Sequence, residues 1–271
     1  MNRIARVLAG LTLALVVLAA AGCTKLQARD HLNKGVQLYK NARYEEAIEH
    51  FKTAVSLDPS LLNARIYLAT AYAQQYVPGA ETDENKRYAT QAIEEYKKVL
   101  DKDPNNVNSV KGIAYLYLQQ KQFDDAKQYY NKAVQIDPND PESYYSVAFI
   151  DWSQAYKFRQ EQRNKLGMKA TDPLKDKKVC ELVKTHNASS VEEGISLLSK
   201  ALQLRQDYDD AMAYMNLMYR ERADYECDQP NARNADLKTA DGWVDKTIAT
   251  KREKANKQGP GGIVIDQPQG K

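Results

Sequence analysis

A chain of 271 residues with 43% apolar and 28% charged residues can bury a core and still keep a large surface wet. Its mean hydropathy of −0.67 and its thin scatter of 12 Gly and 9 Pro argue against a turn-rich β protein and fit an elongated helical array better than a sphere. The formal charge is +3, to which Arg3 and Arg6 of the N-terminal segment contribute two positive charges, so bulk charge does not suggest nucleic-acid binding.

Met1 to Arg6 carries those two arginines, and Val7 to Ala21 is apolar apart from Gly10 and Thr12. An apolar core of this length falls within the range of about 7–15 residues for an export signal and short of the ~20 needed to span a bilayer. The run ends Ala20-Ala21-Gly22-Cys23, which resembles the bacterial lipobox, with Ala20 where Leu is usual. The resemblance implies removal of residues 1–22 as a lipoprotein signal peptide and acylation of Cys23. It further implies more than one acyl chain, since a single chain anchors only marginally. Thr24 follows Cys23 where an Asp would signal retention, which implies delivery to the outer membrane of a bacterial envelope, facing the periplasm. The competing reading is an ordinary secreted protein with an incidental cysteine.

Residues 23–27 form a short tether. Ala28 to Pro59 then reads as two amphipathic helices, with small residues at Gly35, Ala47 and Ala54, large ones at Leu38, Tyr44 and Phe51, and an Asp58-Pro59 stop. A second pair starts at Leu62, with Leu68, Ala69 and Tyr72 on its first helix, Ala92, Tyr96 and Val99 on its second, and Asp103-Pro104 as the stop. About 11 residues around Val77 to Lys86 separate its helices, with Pro78-Gly79 as a turn signal. Val107 to Pro138 is the uninterrupted copy: Ile113, Ala114, Tyr117, Phe123, Ala126, Tyr130 and Ala133 hold the pattern across a turn near Gln122. A fourth pair begins at Pro141, a favoured first-turn proline, with Tyr144, Val147, Ala148 and Asp151. Its second helix resumes at Ser190, with Gly194, Leu198 and Ala201, after an insert of about 34 residues. That insert reads as a prolonged first helix, a break at Asp172-Pro173 and a short helix over Lys175 to Thr185. From Ser153 to His186 it carries nine Lys/Arg against four Asp/Glu. A degenerate fifth pair starts at Asp209, with Met212, Met215 and Tyr219, then a partner helix over Asn231 to Lys251. Residues 252–271 read as a disordered tail.

Aligned on their Asp-Pro stops, Gly35, Ala47 and Phe51 fall on Ala114, Ala126 and Tyr130, and Pro104 to Pro138 is 34 residues. This resembles the tetratricopeptide repeat, a 34-residue helix-turn-helix unit with small-residue positions and a late Pro. The resemblance implies an all-α, tetratricopeptide-like solenoid of about five helix-turn-helix units with inter-helix insertions over residues 28–251. Its repeats run at about 28–61, 62–106, 107–140, 141–208 and 209–251, with inserts at about 75–86 and 153–189. Such units share a core by stacking, and their first helices line a concave groove. The family's groove positions fall on Asn63, Ile66, Thr70 and Ala73, on Asn108, Lys111, Tyr115 and Leu118, and on Glu142, Tyr145, Phe149 and Trp152. A protein or peptide partner in that groove is the expectation, with Asn63 and Asn108 as amide clamps for peptide backbone and Lys111, Tyr115, Tyr145, Phe149 and Trp152 along the floor. The alternative is that these aromatics pack against the insert after Trp152 and fill the groove from within. The carboxylate-clamp version of the family is not implied, because Leu32, Val36 and Tyr67 occupy its key positions.

No phosphate loop, HExxH or GxSxG motif appears. Acidic pairs such as Glu45-Glu46 and Asp124-Asp125 start second helices, where the helix dipole favours them. His31, His50 and His186 show no metal-ligand spacing, so neither metal, cofactor nor catalytic residue is expected. With Cys23 acylated, Cys180 and Cys227 remain, either paired in an oxidising compartment or as two separate thiols. The sequence thus reads as a membrane-anchored, non-catalytic adaptor that holds a protein partner in the envelope. Its rivals are an anionic glycan or lipid binder using the basic insert, and a structural multimerising spacer.

Overall fold

A computed structural model describes residues 23–169, 174 and 176–258. The expected signal segment 1–22, the break at Asp172-Pro173 and residues 259–271 of the expected tail lie outside the described residues. Within the described residues every regular element is an α-helix. In order they are α1 (23–40), α2 (Tyr44–Leu57), α3 (Leu62–Gln75), α4 (Asp83–Leu100), α5 (Val107–Gln119), α6 (Phe123–Ile136), α7 (Pro141–Lys165), α8 (Lys177–Leu204), α9 (Asp209–Asp224) and α10 (Pro230–Gln258). The chain divides into two compact units, one ending at Tyr129 and the other starting at Tyr130.

The first unit is cored by Ala47, Ile48, Phe51, Leu68, Tyr72, Ala92, Tyr96, Ile113 and Leu116. Its helices approach closely where the small residues sit. A β-carbon added at Gly35 on α1 would lie 2.5 Å from the Phe51 ring of α2, so glycine is what lets the first helix pair close. The two uninterrupted turns between first and second helices, α1 to α2 and α5 to α6, have a common construction. Ala42 and Lys121 both take left-handed backbone angles (φ 58° and 59°). In each case the next N–H reaches back five residues, Arg43 to the Leu38 carbonyl at 3.0 Å and Gln122 to that of Tyr117 at 2.9 Å. This is the Schellman ending of a helix, here without glycine at the left-handed position.

The second unit is cored by Tyr144, Ala148, Val183, Val191, Leu198, Met215 and Met218. Its first helix pair is much longer than a standard repeat. Asp140 caps α7 by accepting from the Glu142 and Ser143 N–H groups, both at 3.3 Å. The helix then runs through the first part of the insert and ends with the same Schellman bond, Met168 N–H to the Arg163 carbonyl at 3.1 Å, now with Gly167 at φ 64°. The ending has travelled outward with the lengthened helix.

Two expectations need correction. The segment Lys175 to Thr185 is not a separate short helix, nor does the second helix wait until Ser190: α8 runs unbroken from Lys177 to Leu204, started by the Asp176 cap on the Val179 N–H at 3.0 Å. Buried Cys180, Val183, Asn187 and Val191 fall on one stripe of α8, so the insert's second half is amphipathic in register with the repeat helix and simply extends it. Likewise α10 continues to Gln258, so residues 252–258 are helical rather than tail. Lys254 bonds Asp209 at 2.6 Å and ties the end of α10 to the start of α9.

Candidate partner-binding surface

The aromatic residues expected in the groove come together in the second unit. On α7, Tyr145, Phe149, Trp152 and Tyr156 recur at spacings of four, three and four, which places them along one helix face. From α9, Tyr214 inserts among them, with ring centroids 5.5 Å from Tyr145, 5.3 Å from Phe149 and 5.2 Å from Trp152. Tyr208 contacts Tyr145 at 5.1 Å, and Tyr156 stacks on Trp152 at 5.1 Å. Most of these rings are edge-on or tilted, as their quadrupoles prefer. Tyr145, Phe149, Trp152 and Tyr214 are half-buried, and Tyr156 is 39% exposed. The result is a continuous, partly wet aromatic strip built by two consecutive first helices.

The insert contributes Tyr156 to this strip, while Tyr208 sits at the N-terminal cap of α9 and Tyr214 comes from α9 in the following repeat. Tyr214 escaped sequence reasoning because, counting from Asp209, the family's groove position falls on its neighbour Ala213. The usable signal was the density of tyrosine, 18 in the chain.

In the first unit, Asn108, Lys111 and Tyr115 share one face of α5, with Asn108 exposed, Lys111 half-buried and Tyr115 49% exposed. Asn63 is exposed on α3. Thr70, another expected groove position, is engaged internally. Its hydroxyl donates to the Ile66 carbonyl at 2.8 Å and accepts from the Tyr96 hydroxyl at 2.9 Å.

The basic insert is less basic on its surface than its composition suggests. Arg159 and Arg163 point inward as counter-ions. Arg159 makes a bidentate pair with Glu221 of α9 at 2.7 and 2.8 Å, and both arginines bond Asp224, at 2.8 and 3.0 Å. Beside this network Cys180 and Cys227 are joined in a disulfide, with α-carbons 6.3 Å apart. Cys23 is exposed and outside any disulfide. Among the described residues no three His, Cys, Asp or Glu gather as a metal cluster, and no helix is long and apolar enough to cross a membrane.

Burial favours the neutral form of the Tyr145, Tyr208 and Tyr214 phenols. Desolvation pushes Tyr145 and Tyr208 well above the usual tyrosine range, helped by Tyr214 and Asp210 at the first and by Glu142 at the second, and Tyr225 is raised by desolvation and by Glu192. An unfolded tyrosine ionises near pH ~10. A group raised in the folded state stabilises fully below that value and loses its contribution as pH climbs towards its folded pKa. Ultraviolet titration of the native protein should therefore leave a class of tyrosines un-ionised between about pH 10 and 11, with stability falling across that window. A single transition near pH ~10 for all tyrosines would contradict this burial.

Tetratricopeptide repeat models match residues 28–61 and 87–148. Among solved structures, MamA is 12% identical with a TM-score of 0.56, covering 85% of this chain and 94% of its own. A MamA from Desulfovibrio magneticus RS-1 is 18% identical, with a TM-score of 0.56 and coverages of 84% and 97%. YrrB, described as a TPR protein with an unusual peptide-binding site, is 16% identical, with a TM-score of 0.53 and coverages of 87% and 92%. A curated relative, the human protein O-mannosyl-transferase TMTC3, is 24% identical over 220 residues, which is 72% of this chain and 21% of that protein, so the chain spans about a fifth of its length. The fold class is the all-α tetratricopeptide type, and such repeats bind peptides or proteins and are typically non-catalytic.

Proposed function

We propose that this chain is a lipid-anchored, non-catalytic adaptor of the bacterial cell envelope that takes an extended segment of a protein partner along its aromatic strip. The observation that carries the reading is the strip itself: Tyr145, Phe149, Trp152 and Tyr214 are packed enough to be rigid and open enough to be touched. Rigid aromatic rings offer large contact area at low entropic cost, as at binding hot spots. A solved relative in fold is described as having a peptide-binding site, which favours a peptide over a small molecule. In the first unit, exposed Asn63 and Asn108 offer amides to peptide backbone. The anchor rests on the Arg-rich start, the apolar run and the small residues before exposed Cys23, and the envelope setting and outer-membrane destination rest on the same segment.

The test is crosslinking pull-down from membranes of the native host, comparing wild type with the double substitution Trp152→Ala and Tyr145→Ala. The expected result is loss of one or more partners from the double variant, and an unchanged set of partners defeats the strip as the binding surface. Cys23→Ser should move the protein from the membrane to the soluble fraction, whereas retention counts against the anchor.

A second reading, binding of an anionic glycan or lipid by the insert, draws on the lysines exposed there, Lys157, Lys165, Lys169, Lys177 and Lys178. It is weakened because Arg159 and Arg163 are spent on Glu221 and Asp224. Binding that falls steeply with salt would favour it over the strip.

A further inference from the structure

His31 and His50 are 19 positions apart and carry no metal-site spacing in the sequence, yet the first helix pair brings their Nδ1 atoms to 3.0 Å. We propose that His31 and His50 form a two-imidazole site for a late first-row divalent cation of the zinc class, at the α1–α2 face of the first unit.

The geometry fits one shared ion. Zinc–nitrogen bonds of about 2.0–2.1 Å place two ligand nitrogens about 2.9 Å apart at a right angle and about 3.4 Å apart at the tetrahedral angle. Imidazole is a preferred donor for zinc, copper and nickel. The two rings sit on different helices, with centroids 5.1 Å apart and planes tilted by 41°, and the helices are held in place by the Gly35–Phe51 contact. The pair is also reachable. Both rings are half-buried, and His50 lines a cleft of about 320 Å³ with Lys34, Gln37, Leu38, Asn41 and Arg43.

The charge around it does not oppose a cation. Lys34 is paired with Asp30 at 2.7 Å, and Arg43 bonds Glu46. With two protein nitrogens the remaining positions belong to water or a carboxylate, so affinity is modest. The competing arrangement is a plain N–H···N hydrogen bond in which one imidazole donates to the other, with no ion.

The test is calorimetric titration of the full chain with zinc chloride at about pH 7.5. Cys23 is replaced by Ser so that its exposed sulfur takes no part. One ion per chain is expected, with Kd on the order of micromolar to tens of micromolar. His31→Gln and His50→Gln should each weaken uptake at least about tenfold. His186→Gln, whose ring stacks on Phe158 instead, should leave uptake unchanged. Circular dichroism of each variant confirms that the helices remain. No uptake by the parent at about 100 µM zinc would overturn the proposal and leave the hydrogen bond alone. Undiminished uptake in the folded His31→Gln or His50→Gln variant would overturn it equally.

Discussion

Glu221→Ala should destabilise the second unit by about 3–5 kcal/mol, because it strands a buried guanidinium. Arg159 is 7% exposed, Arg163 1% and Glu221 2%, so neither arginine can turn to water when its partner goes. Asp224 is already shared between both and cannot neutralise two cations alone. In thermal unfolding the midpoint of this unit should fall by about 10 °C. The double substitution Arg159→Met with Glu221→Leu separates the attraction between the charges from the cost of burying them. Removing both charges together relieves the desolvation cost, so it should lie within about 1–2 kcal/mol of wild type. If Glu221→Ala unfolds within error of wild type, the pair is not buried as described.

Loss of the Cys180–Cys227 bridge should cost about 2–4 kcal/mol, the amount expected for a disulfide closing a loop of this size, here 47 residues of sequence separation. The bridge ties the start of α8 to the segment between α9 and α10, and both sulfurs lie near the Asp224 carbonyl, at 4.0 and 3.6 Å. It therefore clamps the same end of α9 that the arginine network holds. Cys180→Ser with Cys227→Ser should show the loss in equilibrium unfolding. Alkylation of the denatured, unreduced chain followed by mass mapping should leave Cys180 and Cys227 unmodified, and labelling of both would refute the bridge.

The fold was legible where the sequence keeps its period. Gly35, Ala47, Ala54, Ala126 and Ala133 could be read as contact positions because small residues recurring at fixed spacing on the apolar face of a helix mark where a second helix comes close. The inserts were harder. Composition marked residues 153–189 as polar and basic, but charge says nothing of whether a side chain points in or out. Arg159 and Arg163 could be recognised as internal only once Glu221 and Asp224, some 60 residues away, were in place. The stripe of Cys180, Val183, Asn187 and Val191 was present in the sequence, but the apparent break before it hid its continuity with the repeat helix. The aromatic strip was half legible: the α7 residues follow the family's positions, whereas Tyr214 depends on the register of a degenerate repeat. The His31–His50 contact depends on the pairing of α1 with α2, which no local spacing encodes.

The most direct test of the central claim, that the strip holds a protein partner, places a photo-crosslinking phenylalanine analogue at Tyr156, the exposed end of the strip, in the native host. A control chain carries it at Ile248, which is 53% exposed on α10. The expected result is a discrete covalent adduct to another protein from position 156, absent from position 248 and lost when Trp152 and Tyr145 are both alanine. No adduct at 156, or the same adduct from both positions, would contradict the claim.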